Sequence, residues 1–135
     1  MSPTEVVAAF AELAGAIDGV AIAYDHEPEK ISDEPAVTLV QRHVLPAIID
    51  VSGREQQDWK FRVYVYVKLT SYRDAQMQLL DLVPKLLRIT QTNRTLNNTC
   101  FDSRLDDEGA EPDPRHRAGY MAKRLSLTAK ILVEF

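Results

Sequence analysis

The sequence predicts an α+β domain: a mixed, mostly antiparallel sheet of about four or five strands, with two main helices packed on one face. Two stretches of strict alternation carry the sheet. Trp59, Phe61, Val63, Val65, Val67 and Leu69 alternate with Lys60, Arg62, Tyr64, Tyr66, Lys68 and Thr70, and Leu125, Leu127, Ala129, Ile131, Val133 and Phe135 alternate with Arg124, Ser126, Thr128, Lys130 and Glu134. Helical spacing carries the rest, through Val6, Phe10, Leu13 and Ile17 near the start and Leu79, Leu82, Val83, Leu86, Leu87 and Ile89 in the middle. The 135 residues, 45% of them hydrophobic, suffice for one core without disulfides or metal, so residues 1–135 read as one domain.

In chain order, Pro3 and Thr4 start the first helix, Glu5 suits its positive end, and Asp18-Gly19 ends it. Val20 to Tyr24 reads as a short strand, and the prolines and acids of Asp25 to Pro35 mark a loop. Ala36 to Asp50 reads as a strand, a bend at Pro46 and a second short strand, followed by a turn at Ser52-Gly53. At ~3.3 Å per residue, Asp58 to Thr70 would run roughly 40 Å and cross the whole domain. Asp74 is placed as the cap of the second helix, which Pro84 should kink or divide. Thr92 to Thr99 is turn chemistry and Cys100 to Leu105 a brief strand. Asp106 to Ala118 has Gly109, Pro112, Pro114 and no apolar residue larger than alanine, so it is expected to be a mobile loop. The second long strand then runs to the C-terminus.

Little in this pattern suits catalysis. The formal charge of -4, from 16 basic and 20 acidic residues, disfavours a dedicated nucleic-acid binder and favours protein partners. His26, His43 and His116 lie in three separate segments without metal-site spacing, and the glycines are isolated, so neither a metal nor a cofactor is expected. Cys100 alone cannot form an internal disulfide and reads as a small buried apolar residue. Asp106, Asp107, Glu108, Glu111 and Asp113 fall in the expected loop, where nothing could tune a catalytic pKa. No apolar run approaches the ~18 residues of a membrane span, and no basic stretch leads into an apolar core at the N-terminus, so a reducing cytoplasm is the expected setting. Lys60, Arg62, Tyr64, Tyr66 and Lys68 form a row of cations and rings of the kind that single-strand RNA binders present. Tyr and Arg are equally the residues enriched at subunit contacts, which fits the acidic composition better.

Four features together resemble the tail terminator, or tail completion, proteins of long-tailed bacteriophages and prophages: the amphipathic first helix, the acidic loop into Pro35-Ala36-Val37, the Trp59 to Thr70 strand with the helix after it, and the C-terminal strand. Thr95-Leu96-Asn97-Asn98-Thr99 is similar to a Leu-Gly-Gly element that often follows the second helix in that family, with Asn97-Asn98 in place of the glycines. Asn tolerates left-handed backbone better than most residues. The resemblance implies a structural, non-enzymatic virion protein: a ring, expected to be a hexamer, that is assembled in the host cytoplasm and caps the tail tube. It would stop tube polymerisation, dock the head-tail connector and let DNA pass through its lumen without specific binding. A ring needs two different patches per subunit. The candidates are Arg62, Tyr64, Tyr66 and Lys68 on the long strand and Lys130 and Leu132 near the chain's end, with Asp106, Asp107, Glu108, Glu111, Asp113, Arg115 and Arg117 as tube- or lumen-facing residues that order on stacking. Another head-tail connector or minor tail protein of related fold, or a single-stranded nucleic-acid module using Tyr64 and Tyr66, are the alternatives.

Overall fold

A computed structural model describes residues 2–44, 48–49, 54–109 and 113–134. The elements run α1 (Pro3–Gly15), β1 (Ile22–Ala23), β2 (Ala36–Val44), β3 (Ile48–Ile49), β4 (Arg54–Lys68), α2 (Tyr72–Thr92), β5 (Asp102–Asp107), β6 (Asp113–Arg117) and β7 (Tyr120–Glu134). The expected α+β architecture is what forms, with the sheet ordered β1-β2-β4-β7-β5 and the short β3 and β6 added to β4 and β7. Among the described residues β1 pairs with β2 in parallel and the remaining pairings are antiparallel.

The two long strands make the frame. β4 and β7 pair from Arg54↔Glu134 to Lys68↔Tyr120 without a register break, which places Trp59, Phe61, Val63 and Val65 on the same face as Ala129, Leu127, Leu125 and Lys123. Both helices cover that face. Val6, Phe10 and Ala14 of α1 and Leu79, Leu82, Leu86 and Ile89 of α2 enter one core with Val37, Leu39, Val63, Leu125, Leu127 and Ile131.

Several boundaries differ from the sequence reading. Ser2 caps α1, its hydroxyl accepting from the Glu5 amide at 3.2 Å. Ser71, not Asp74, caps α2, and Asp74 instead supplies the amide that Ser71 accepts at 3.1 Å. Pro84 does not divide α2, which is one helix from Tyr72 to Thr92. The proline sits on an exposed face of the helix, clear of the core. Pro46 and the Ser52-Gly53 turn lie outside the described residues.

The expected loop at 106–118 is largely sheet. Asp106 and Asp107 end β5, and Asp113–Arg117 forms β6 against β7, which itself begins at Tyr120. Scarcity of apolar side chains does not prevent this, because β7 offers a strand on which β6 pairs at Asp113↔Ala122 and Arg117↔Tyr120. Ion pairs Arg104–Asp106 at 2.8 Å, Lys123–Asp107 at 3.1 Å and Arg124–Glu108 at 3.3 Å then give three of the segment's acids partners.

The turn after α2 bears out the left-handed reading. Leu96, Asn97 and Asn98 have φ of 46, 58 and 65°. Leu96 joins the two asparagines because its side chain, 0% exposed, anchors the turn in the core. Asn97 is held by a reciprocal pair with Asn93, its amide donating to Oδ1 at 3.0 Å and its own Oδ1 accepting from Nδ2 at 2.7 Å. The Asn98 amide donates to Thr95 Oγ1 at 3.3 Å, while its side chain makes no hydrogen bond among the described residues. Asn98→Gly should therefore leave stability unchanged or raise it by up to ~1 kcal/mol, and Asn98→Val should lower it by about 1–2 kcal/mol, as read from urea unfolding midpoints.

Candidate assembly surfaces

The far face of the sheet carries most of the predicted contact residues, and half of it is already covered. On this face Ala36 lies beside Tyr66 and Tyr66 beside Ala122, with Thr38 beside Tyr64 and Tyr64 beside Arg124. Ile31, from the acidic segment, packs on Ala36, Tyr64, Tyr66 and Ala122 as a second small core, with Tyr24 and Tyr120 at its margin. Tyr66 is thus 0% exposed and Tyr64 7%, which corrects their placing as an open row. The period-two pattern gave the face but not the strap above it. Their rings stack on each other, with centroids 6.0 Å apart, and are not free to stack on bases.

Glu27 fastens this strap. Its carboxylate accepts from Tyr66 Oη at 2.8 Å, from Thr38 Oγ1 at 2.5 Å, and from Arg117 Nη2 and Nε at 2.8 and 3.1 Å. Arg117 also donates to the carbonyls of Pro28 and Glu29 and lies over the Tyr66 ring, 5.5 Å from its centroid. Burial pushes the Glu27 carboxyl up, but the hydrogen bonds from Thr38, Arg117 and Tyr66 outweigh it and hold the group below its ordinary value. Burial and then the Glu27 carboxylate push the Tyr66 phenol upward. Arg117, expected in a mobile tube-facing loop, is instead part of this structural clasp.

The other predicted contact residues differ in their placing. Lys68 is exposed, and Lys130 and Leu132 are half-buried on the far face near the end of β7. β5 stops pairing at Asp102↔Lys130, so beyond that point β7 pairs with β4 alone among the described residues. Arg62 is half-buried, its Nη1 3.4 Å from Tyr64 Oη and its Nε buried without a hydrogen-bond partner among the described residues. Asp106, Asp107 and Glu108 are tied into the ion pairs given above. Glu111 and the side chains of Asp113 and Arg115 lie outside the described residues.

On the opposite side, α2 presents a surface that residue-by-residue reading of the sequence passed over. Its inner stripe, Ala75, Leu79, Leu82, Leu86 and Ile89, is buried in the core. A second apolar stripe points outward: Met77 is 54% exposed and Leu80 70%, Pro84 is exposed and Leu87 half-buried. Beside it runs a groove of about 500 Å³ lined by Gln76, Leu79, Leu80, Val83, Pro84 and Leu87, closed on the sheet side by Asp107 and Lys123. The signal was present in the spacing, since Met77, Leu80, Pro84 and Leu87 fall at steps of three, four and three.

Among the described residues, the groups that sequence reading weighed for chemistry lie apart from one another. Cys100 is fully buried, its Sγ 3.5 Å from the Thr95 carbonyl, and burial pushes its thiol up, away from thiolate reactivity. His26 is an exposed partner of Asp25 at 2.7 Å, and the side chains of His43 and His116 lie outside the described residues. Among the described residues no group of three or more His, Cys, Asp or Glu could hold a metal ion, and no helix is long and apolar enough to cross a membrane. No protein-family model and no curated protein matches the chain, so the fold and these surfaces carry the functional reading.

Proposed function

We propose that this chain is a structural subunit of a long-tailed phage, forming a ring, expected to be a hexamer, that caps the tail tube, ends its polymerisation and docks the head-tail connector. One observation supports an assembly role above the others: α2 is packed by one apolar stripe and leaves a second open, with Met77 and Leu80 more than half exposed beside an apolar groove. A helix needs only one such stripe to fold onto its sheet, and a second one rimmed by charged residues marks a protein contact. The tail-specific part rests on the resemblance in element order and on the Leu96-Asn97-Asn98 turn, whose left-handed backbone suits the place of two glycines. Lys68, Lys130 and Leu132 remain candidates for the second, different patch that a ring requires.

The test is co-assembly with a phage tail tube protein. Electron micrographs should show tubes ended by sixfold rings and a narrower spread of tube length than tube protein alone gives. Tubes with bare ends and an unchanged length distribution would overturn the tail reading.

A further inference from the structure

We infer that in the absence of other partners the outer stripe of α2 is covered by α2 of a second copy, lying antiparallel across a two-fold axis that passes near Leu82. The inference rests on the assembly reading of α2 but not on its tail-specific part.

The stripe has the form of a coiled-coil seam. Arg73, Met77, Leu80, Pro84, Leu87 and Gln91 recur at alternating steps of four and three along the outward face, with the four apolar members at the centre and polar residues at both ends. Read in reverse, the same spacing returns, so the seam complements itself when two copies run antiparallel. Leu80 then meets the partner's Pro84 and Met77 meets the partner's Leu87, each contact made twice by symmetry. From Arg73 to Gln91 the seam is about 27 Å long at 1.5 Å per residue.

Charge argues for this occupant over an unrelated helix. On the flank away from the groove the exposed charged residues are Asp74, Asp81 and Arg88, and neither Asp74 nor Arg88 has an ion-pair partner in the chain among the described residues. Antiparallel pairing about Leu82 sets Asp74 beside the partner's Arg88 at both ends of the contact. It also brings the two Asp81 side chains near each other at the axis, where Lys85, 3.2 Å from Asp81, offsets their charge. A parallel arrangement would instead align Asp74 with its own copy and Arg88 with its own copy. On the other flank Val83 faces its symmetry mate across the apolar groove, which removes that groove from water together with the seam. A two-fold contact saturates itself, so the pair would keep free subunits from joining into larger assemblies until a competing surface arrives.

Light scattering coupled to size exclusion on the full chain decides the matter. The wild type should elute with twice the 15.2 kDa chain mass at tens of micromolar, falling to the single-chain mass on dilution. Leu80→Glu should stay at the single-chain mass with unchanged circular dichroism. Asp74→Arg alone should weaken pairing by tenfold or more, and Asp74→Arg with Arg88→Asp should restore it. Wild-type protein that remains single at all concentrations, a larger oligomer indifferent to Leu80→Glu, or a double variant no better than the single one would each overturn the pairing. None of these results bears on whether the chain caps tubes, which the micrographs read separately.

Discussion

Leu86→Ala should destabilise the chain by about 2–5 kcal/mol, and Leu80→Ala, on the same helix, by less than about 0.5 kcal/mol when both are unfolded in urea at a concentration low enough to keep the chain single. Leu86 is 0% exposed and packed into the core between helix and sheet, so truncation leaves a cavity whose walls can relax only partly. Leu80 is 70% exposed, so removing its methyl groups costs little more than helix propensity, and alanine is the better helix former. The asymmetry would show that Leu80 contributes little to the stability of the fold. Equal losses at the two positions would mean that the outer stripe is covered within the chain itself.

Arg117→Met should cost about 1.5–3 kcal/mol at neutral pH, the next largest effect expected outside the main core. The substitution keeps most of the side-chain length but removes donors to Glu27, Pro28 and Glu29, leaving a carboxylate on a side chain only 29% exposed with fewer partners. The pH dependence fixes the cause. Glu27 is held below its ordinary value of 4.5 in the folded chain, so its ionised form stabilises the fold at pH above that value, and the contribution disappears as pH falls through the lower folded value. Wild-type stability should therefore fall across that acidic window more steeply than that of Arg117→Met, whose curve starts lower and is flatter. Parallel curves would show that Arg117 acts by packing on Tyr66 alone. Hydrogen exchange should in addition quicken in the variant at Tyr24 and Ile22, whose surroundings the strap closes, while α2 and β7 keep their protection.

These two expectations also mark what the sequence could and could not say. The alternation from Trp59 to Val67 placed β4 and its core face correctly, because period two leaves no other choice once one face is buried. The left-handed asparagines were legible for a similar reason, since few residues tolerate that backbone. The clasp was not legible: Glu27 and Arg117 are ninety positions apart, and no local pattern links a carboxylate in an acidic stretch to an arginine in a mixed one. The same blindness made Tyr64 and Tyr66 look open, because alternation reports which face a side chain takes and nothing about what crosses above it. The 106–118 segment was misread because its order comes from β7 and from ion pairs, neither of which local composition records. On α2 the inner stripe, being buried, dominated the periodicity, and the outer one lay nearly half a turn away in plain sight.

The claim on which most depends is that the outer face of α2 is a contact surface. A Gln76→Cys variant tests it directly, since the native Cys100 is fully buried and the new thiol at the rim of the groove would be the one a maleimide reaches quickly. Its labelling rate should fall severalfold as the protein is concentrated from nanomolar to tens of micromolar, and fall again at fixed low concentration when assembly partners are added. A rate that stays constant across both series would show that nothing docks on α2 and would contradict the account.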